Sequence, residues 1–167
     1  MPFSLLPALR TVALTDITAQ TLTCRKIRLL MLDFDNTIVP YTTDEPNDAF
    51  LLWLEAMKQS QIQLCVVSNS RNDRVVRFCQ KYGIDWITHA RKPFSKGIRA
   101  CMERYGAKPE QCALVGDQIY TDVLGGNCAG ITTILVKAIH NHNFWLKLRH
   151  VAEMPFIYAA QNRRIEK

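Results

Sequence analysis

Five short apolar runs, near 28–34, 62–67, 84–88, 111–116 and 131–136, alternate along this chain with amphipathic stretches. The runs are too short for helices and too continuous for strands with one wet face, so each predicts a strand buried on both sides. Between them, Pro46 to Gln59 carries Phe50, Leu51, Leu54 and Met57 at helical spacing, with Pro46 suited to a first turn. Arg71 to Tyr82 and Ser95 to Tyr105 run into Gly83 and Gly106, and Thr121 to Ala129 into Gly130, where helix stops are expected. A further short helix is expected near Asp16 to Leu22. The alternation predicts an α/β protein of three layers, α/β/α, around a parallel sheet of about five strands.

In such a sheet ligands bind beyond the carboxyl ends of the strands, so the residues that close each run locate the chemistry. The first run ends in Asp33-Phe34-Asp35-Asn36-Thr37. Two carboxylates so close repel each other unless a cation or a proton lies between them. Read alone, the segment is also compatible with a polar turn that caps the next helix. The second run ends in Ser68-Asn69-Ser70, the third leads to Lys92 just before Pro93, and the fourth leads to Gly116-Asp117 with Asp122 five residues on. Taken singly, Lys92 reads as a surface lysine and Ser68 as a strand-end cap. Together, four successive strand ends offer carboxylates, a hydroxyl, an ammonium and more carboxylate.

These segments resemble the four motifs of the haloacid dehalogenase-like (HAD) superfamily, in order and spacing, over about residues 28–136. Asp33 to Thr37, Asn69-Ser70-Arg71, Arg91-Lys92-Pro93 and Gly116-Asp117-Gln118 through Thr121-Asp122 resemble more closely the YqeG-like, IIIA-type phosphatases. That group is in turn similar to mitochondrial phosphatidylglycerophosphatases. The resemblance implies a Rossmann-like sheet and Mg²⁺-dependent hydrolysis of a phosphomonoester through an aspartyl-phosphate. It casts Asp33 as nucleophile and Asp35 as acid and base. Asp33, Asp117 and the backbone carbonyl of Asp35 would hold Mg²⁺, while Ser68 and the backbone of Asn69 donate to the phosphoryl oxygens and Lys92 offsets their charge. Thr37 would brace the loop, and Asp122 would either reach the metal through water or hold Lys92. Asn69 and Arg71 are further candidates for substrate contact, with Arg71 equally readable as a solvent-facing residue. Phosphatidylglycerophosphate is the substrate the resemblance implies, a soluble sugar phosphate or nucleotide the alternative. A non-catalytic binding module would have no need of Asp35.

Only 32 residues separate Asp35 from Ser68, and Lys92 to Asp117 is as short, so neither stretch has room for an inserted cap. A capless site favours a bulky substrate, such as a lipid headgroup, or a lid supplied by a neighbouring subunit of an oligomer. The chain is expected to be one domain, 1–167, with its core at 28–136 and extensions at 1–27 and 137–167. Its formal charge of +6 lies wholly in those extensions, +2 and +4, around a neutral core. Such asymmetry suits an anionic partner, and the resemblance makes that a lipid headgroup rather than nucleic acid; a merely solvated surface is the plainer alternative. Residues 143–151 mix aromatic and basic residues at helical spacing, which reads either as an interfacial helix or as one packed on the core. His140 and His142 beside it read as loop residues. The six cysteines contain no Cys-x-x-Cys pair, so neither zinc nor a disulfide framework is expected and a reducing compartment fits. With no signal peptide and no run long enough to span a bilayer, the expected location is cytoplasmic or peripheral to a membrane.

Overall fold

The computed structural model describes residues 4–71, 73–139, 154–163 and 165. Six strands, β1 (Leu9–Arg10), β2 (Leu29–Leu32), β3 (Gln63–Val67), β4 (Asp85–Ile87), β5 (Cys112–Gly116) and β6 (Thr132–Leu135), make one sheet in the order β1-β6-β5-β2-β3-β4. Every neighbouring pair is parallel. Among the described residues, helices α1 (Ala19–Cys24), α2 (Asp48–Lys58), α3 (Asp73–Tyr82), α4 (Lys96–Arg104) and α5 (Leu124–Ala129) accompany them, and 154–159 is also helical.

The continuous apolar runs follow from burial on both faces. In β2, Leu30 and Leu32 pack with Phe50, Trp53, Leu54 and Met57 of α2 and Val75 and Phe78 of α3, whereas Leu29 and Met31 pack with Ile98, Cys101 and Met102 of α4 and Ala129 of α5. Alternate residues thus feed two separate cores. One helix and its loops join β2 to β3, and one helix with a 3₁₀ turn at Pro109–Gln111 joins β4 to β5, so both stretches lack a cap.

The sheet has one strand more than the sequence predicts. Strand β1 comes from the amino-terminal extension and pairs Leu9 with Ile134 and Arg10 with Leu135; two residues are too few for any periodicity to be read. The expected helix near Asp16 is divided. A 3₁₀ turn spans Leu14–Asp16, where Asp16 turns back to accept from Thr11 Oγ1 and Ala13 N, both at 3.0 Å, and Thr18 then caps α1. Helix α2 begins later than Pro46 because Asn47 is its cap, accepting from Phe50 N at 2.8 Å. Helices α3 and α4 stop at Gly83 and Gly106, whose φ angles are 64° and 55°.

The extensions are tied to each other. Arg10 donates to Ile157 O at 2.9 Å, Arg163 to Pro7 O at 2.8 Å, and Ile165 N to Arg10 O at 3.0 Å. Phe156 and Ile157 pack with Leu5, Ile119, Val123 and Leu135. Two of the cations behind the charge asymmetry are therefore bonded to carbonyls. The helix expected at 143–151, with His140 and His142, lies outside the described residues. Among the described residues no helix is long and apolar enough to cross a membrane.

Candidate functional site

The chain leaves β2 towards β3 and β4 and later returns to its other side as β5, so the strand order reverses between β2 and β5. Asp33 directly follows β2, with its N–H donating to Val115 O at 2.8 Å, and Asp117 directly follows β5. Both carboxylates therefore sit at the switch point, where the flanking connections splay apart to leave a crevice.

A buried cation closes the arrangement. Lys92 arrives on the loop after β4, and its Nζ lies 2.6 Å from Asp33 Oδ1 and 2.7 Å from Asp122 Oδ1. Asp122 gets there through a π-helical turn, Ile119–Val123, that overlaps the start of the helix expected from Thr121; one wide turn re-aims the carboxylate under the strand ends. Gly116 makes room for it, because a Cβ at that position would lie 2.3 Å from the Asp122 carboxylate. Asp122 is thus in direct contact with Lys92.

Asp33, Asp117 and Asp122 each present a carboxylate oxygen within 4.8 Å of the others, all three residues buried. The Lys92 ammonium bonds two of these three carboxylates, and Asp33 Oδ2 has no hydrogen-bond partner. Burial raises the Asp33 carboxyl above the usual range; Lys92 pulls it part of the way back and Asp122 pushes it up again. For Lys92 burial works against the ammonium, but Asp122 and Asp33 outweigh it and its pKa rises. The donor set is hard oxygen with charge to spare, and a divalent cation of the Mg²⁺ type fits it.

The other candidate residues surround this cluster. Ser68 is buried at the end of β3, with its Oγ accepting from Ser70 N at 3.0 Å, so the hydroxyl hydrogen is available to a ligand. The Asn69 side chain is engaged with the Lys92 backbone, donating to its O at 2.9 Å and accepting from its N at 2.6 Å; only the Asn69 backbone is left to meet a substrate. Arg71 is exposed on the loop before α3. Thr37 is buried in the turn after β2. The Asp35 side chain meets Arg74 of α3, whose Nη1 donates to Asp35 Oδ1 at 2.5 Å, and its charge is felt at both Asp33 and Lys92. Burial raises the Asp35 carboxyl, and Arg74 lowers it only in part. Arg74 is a residue that the sequence reading passed over. Its spacing was legible all the same: α3 begins at the site edge, and Arg74 lies four residues before the buried Phe78, on the same helical face.

Comparison with known proteins agrees with this geometry. A HAD-hydrolase-like family model matches residues 89–142. Over 123 residues the chain is 38% identical to the probable phosphatase YqeG of Bacillus subtilis (strain 168), covering 74% of this chain and 72% of that protein. The chain belongs to the HAD superfamily. Within that superfamily its YqeG-like character rests on most of its length. By contrast, the ribonucleotide monophosphatase NagD of Escherichia coli (strain K12) is 43% identical over only 60 residues, 32% of this HAD chain and 24% of NagD. Among solved structures, the 4-nitrophenylphosphatase of Thermotoga maritima superposes with a TM-score of 0.58 at 18% identity, covering 74% of this chain and 91% of that one, a likeness of fold.

Proposed function

We propose that this HAD phosphatase hydrolyses a phosphomonoester through an aspartyl-phosphate on Asp33, with Mg²⁺ as cofactor and phosphatidylglycerophosphate as substrate. The observation that carries the reading is the buried Asp33–Lys92–Asp122 chain with Asp117 beside it, in which Asp33 keeps one oxygen without a partner. An Asp33 oxygen attacks phosphorus as the bond to the leaving oxygen breaks, and Asp35 gives that oxygen its proton. Asp35 then takes a proton from the water that attacks the phosphorus, and the bond to Asp33 breaks to release phosphate. Its raised pKa suits a carboxyl that must carry a proton in the first step. Lys92 keeps Asp33 oriented, while the Ser68 hydroxyl and the Asn69 N–H donate to phosphoryl oxygens. When bound between Asp33 and Asp117, Mg²⁺ would offset the charge of the transferring group.

Support for a lipid substrate comes from the rim. The loops after β2 and β4 carry Tyr41, 49% exposed, and Phe94, 74% exposed, with Arg91 exposed on the same loop as Phe94 and Arg71 exposed on the loop after β3. Aromatic and cationic residues around an uncapped phosphate site suit an anionic headgroup held at a membrane surface.

The test is phosphate release from p-nitrophenyl phosphate, phosphatidylglycerophosphate in mixed micelles, sugar phosphates and nucleotides, with Mg²⁺ and with EDTA, for the wild type and Asp33→Asn. Metal-dependent release from the lipid that Asp33→Asn abolishes is the expected result. Preference for a soluble member would overturn the substrate, and silence on every member would overturn the reaction.

A further inference from the structure

The Arg74 side chain is 14% exposed, and its guanidinium touches three successive features of the chain at once. It lies over the Phe34 ring, 5.0 Å from the centroid, and Phe34 in turn meets Phe78 edge-on at 5.1 Å. Its Nη1 donates to Asp35 Oδ1 at 2.5 Å, its Nη2 to Pro40 O at 2.7 Å and to Thr43 O at 2.5 Å, and its Nε to Asp44. With its donors directed to protein oxygens on both edges, this guanidinium is poorly placed to bind a substrate phosphate.

We infer that Arg74 is a positioning residue for the reaction proposed above: it fixes the Asp35 carboxyl and clamps residues 40–44 beside the site. The inference rests on that proposed reaction. A carboxyl that must donate to a leaving oxygen and then accept from water has to be within hydrogen-bond reach of both, and free rotation about its side-chain bonds would forfeit that reach. The planar fork of an arginine can hold a carboxylate along one edge and two carbonyls along another. A lysine ammonium cannot span both sets, since it is a compact point donor on a flexible stem. The apolar ring beneath the guanidinium keeps it flat and shields its hydrogen bonds from water. In a fold without a cap, this clamp does from α3 what an inserted domain would otherwise do, which is to hold an edge of the site in place.

The experiment measures p-nitrophenyl phosphate hydrolysis with Mg²⁺ for the full chain and for Asp33→Asn, Arg74→Ala, Arg74→Lys and Arg74→Gln, with and without added guanidinium chloride at tens of millimolar. Circular dichroism melts monitor folding. Arg74→Ala is expected to lose roughly tenfold to a hundredfold in kcat with KM changed by less than about threefold, as for a displaced proton donor. Guanidinium should restore part of that loss, whereas Arg74→Lys should stay well below wild type. Should Arg74→Ala not fold, Arg74→Lys and Arg74→Gln decide, and unimpaired kcat in both would overturn the inference. So would a rise in KM at constant kcat, which marks a substrate contact, or a kcat loss that follows the unfolded fraction and does not respond to guanidinium. An inactive wild type ends the proposed reaction and the role of Arg74 with it; an active wild type with an unimpaired Arg74→Ala ends only the latter.

Discussion

Two contacts decide whether the buried charges of the site can coexist. The first is the space at Gly116, where an added Cβ would lie 2.3 Å from Asp122 Oδ2 and cannot be relieved without moving that carboxylate off Lys92. Gly116→Ala should therefore destabilise the protein by about 1–3 kcal/mol, the usual range for overpacking, and lower phosphatase activity far more than the stability loss accounts for. Chemical denaturation run beside the activity assay checks it, and an active, stable Gly116→Ala would show that Asp122 has somewhere else to go. The second contact is the ammonium itself. Lys92→Met leaves Asp33 and Asp122 buried without their cation, a loss of about 3–5 kcal/mol in EDTA by analogy with other broken buried pairs. A divalent ion that binds only the folded state adds stability, and it should bind the more negative cluster more tightly. The melting temperature of Lys92→Met should thus rise more on adding Mg²⁺ than that of the wild type. Equal rises would argue against an ion at Asp33 and Asp117.

At the scale of elements, the strands were legible because burial on both faces leaves unbroken apolar runs, as in Leu29–Leu32, and the strand ends were legible because charge appears where those runs stop. Asp33, Lys92, Asp117 and Asp122 accordingly meet where the order of the runs places them. What escaped was whatever depends on contacts distant in sequence. Strand β1 exists only because Leu9 and Arg10 find β6, and the π-helical turn that aims Asp122 looks like ordinary helix in the sequence. The partner of Asp35 was hidden for the same reason, being 39 residues away on α3. The amino-terminal extension is a case in point: it is anchored by Trp53 of α2, whose Nε1 donates to Ile17 O at 2.6 Å in a buried setting. Trp53→Phe keeps most of the apolar volume but leaves that carbonyl without its donor, and should cost about 1–3 kcal/mol. Hydrogen exchange should show the loss concentrated in residues 11–24 and α2. A change in stability below a few tenths of a kcal/mol would mean that the extension is held by other contacts alone.

At the scale of the whole molecule, the two cores on either side of the sheet share a titratable property that neither motif nor site reveals. Cys79 lies in the core beneath α2 and α3, Cys112 in the core beneath α4 and α5, and both are fully buried. Burial pushes the Cys79 thiol up to about 12 and the Cys112 thiol up to about 11. Unfolded, each ionises near 9. Above that pH the unfolded chain therefore holds fewer protons than the folded one, so stability falls as pH rises. The fall is fully absent below the unfolded value. It amounts to about 1.4 kcal/mol per pH unit for each such thiol, ending near the folded value of each. Stability measured by urea denaturation between pH 9.5 and 11 should decline for the wild type, and in Cys79→Ala the decline should be shallower by about one proton's worth, about 1.4 kcal/mol per pH unit. The substitution lowers stability at every pH by opening a small void, so the slope and not the level carries the test. Parallel slopes for the two proteins would mean that Cys79 ionises as readily folded as unfolded, and that the core on the α2 and α3 side admits water or a counter-ion that its packing gives no sign of.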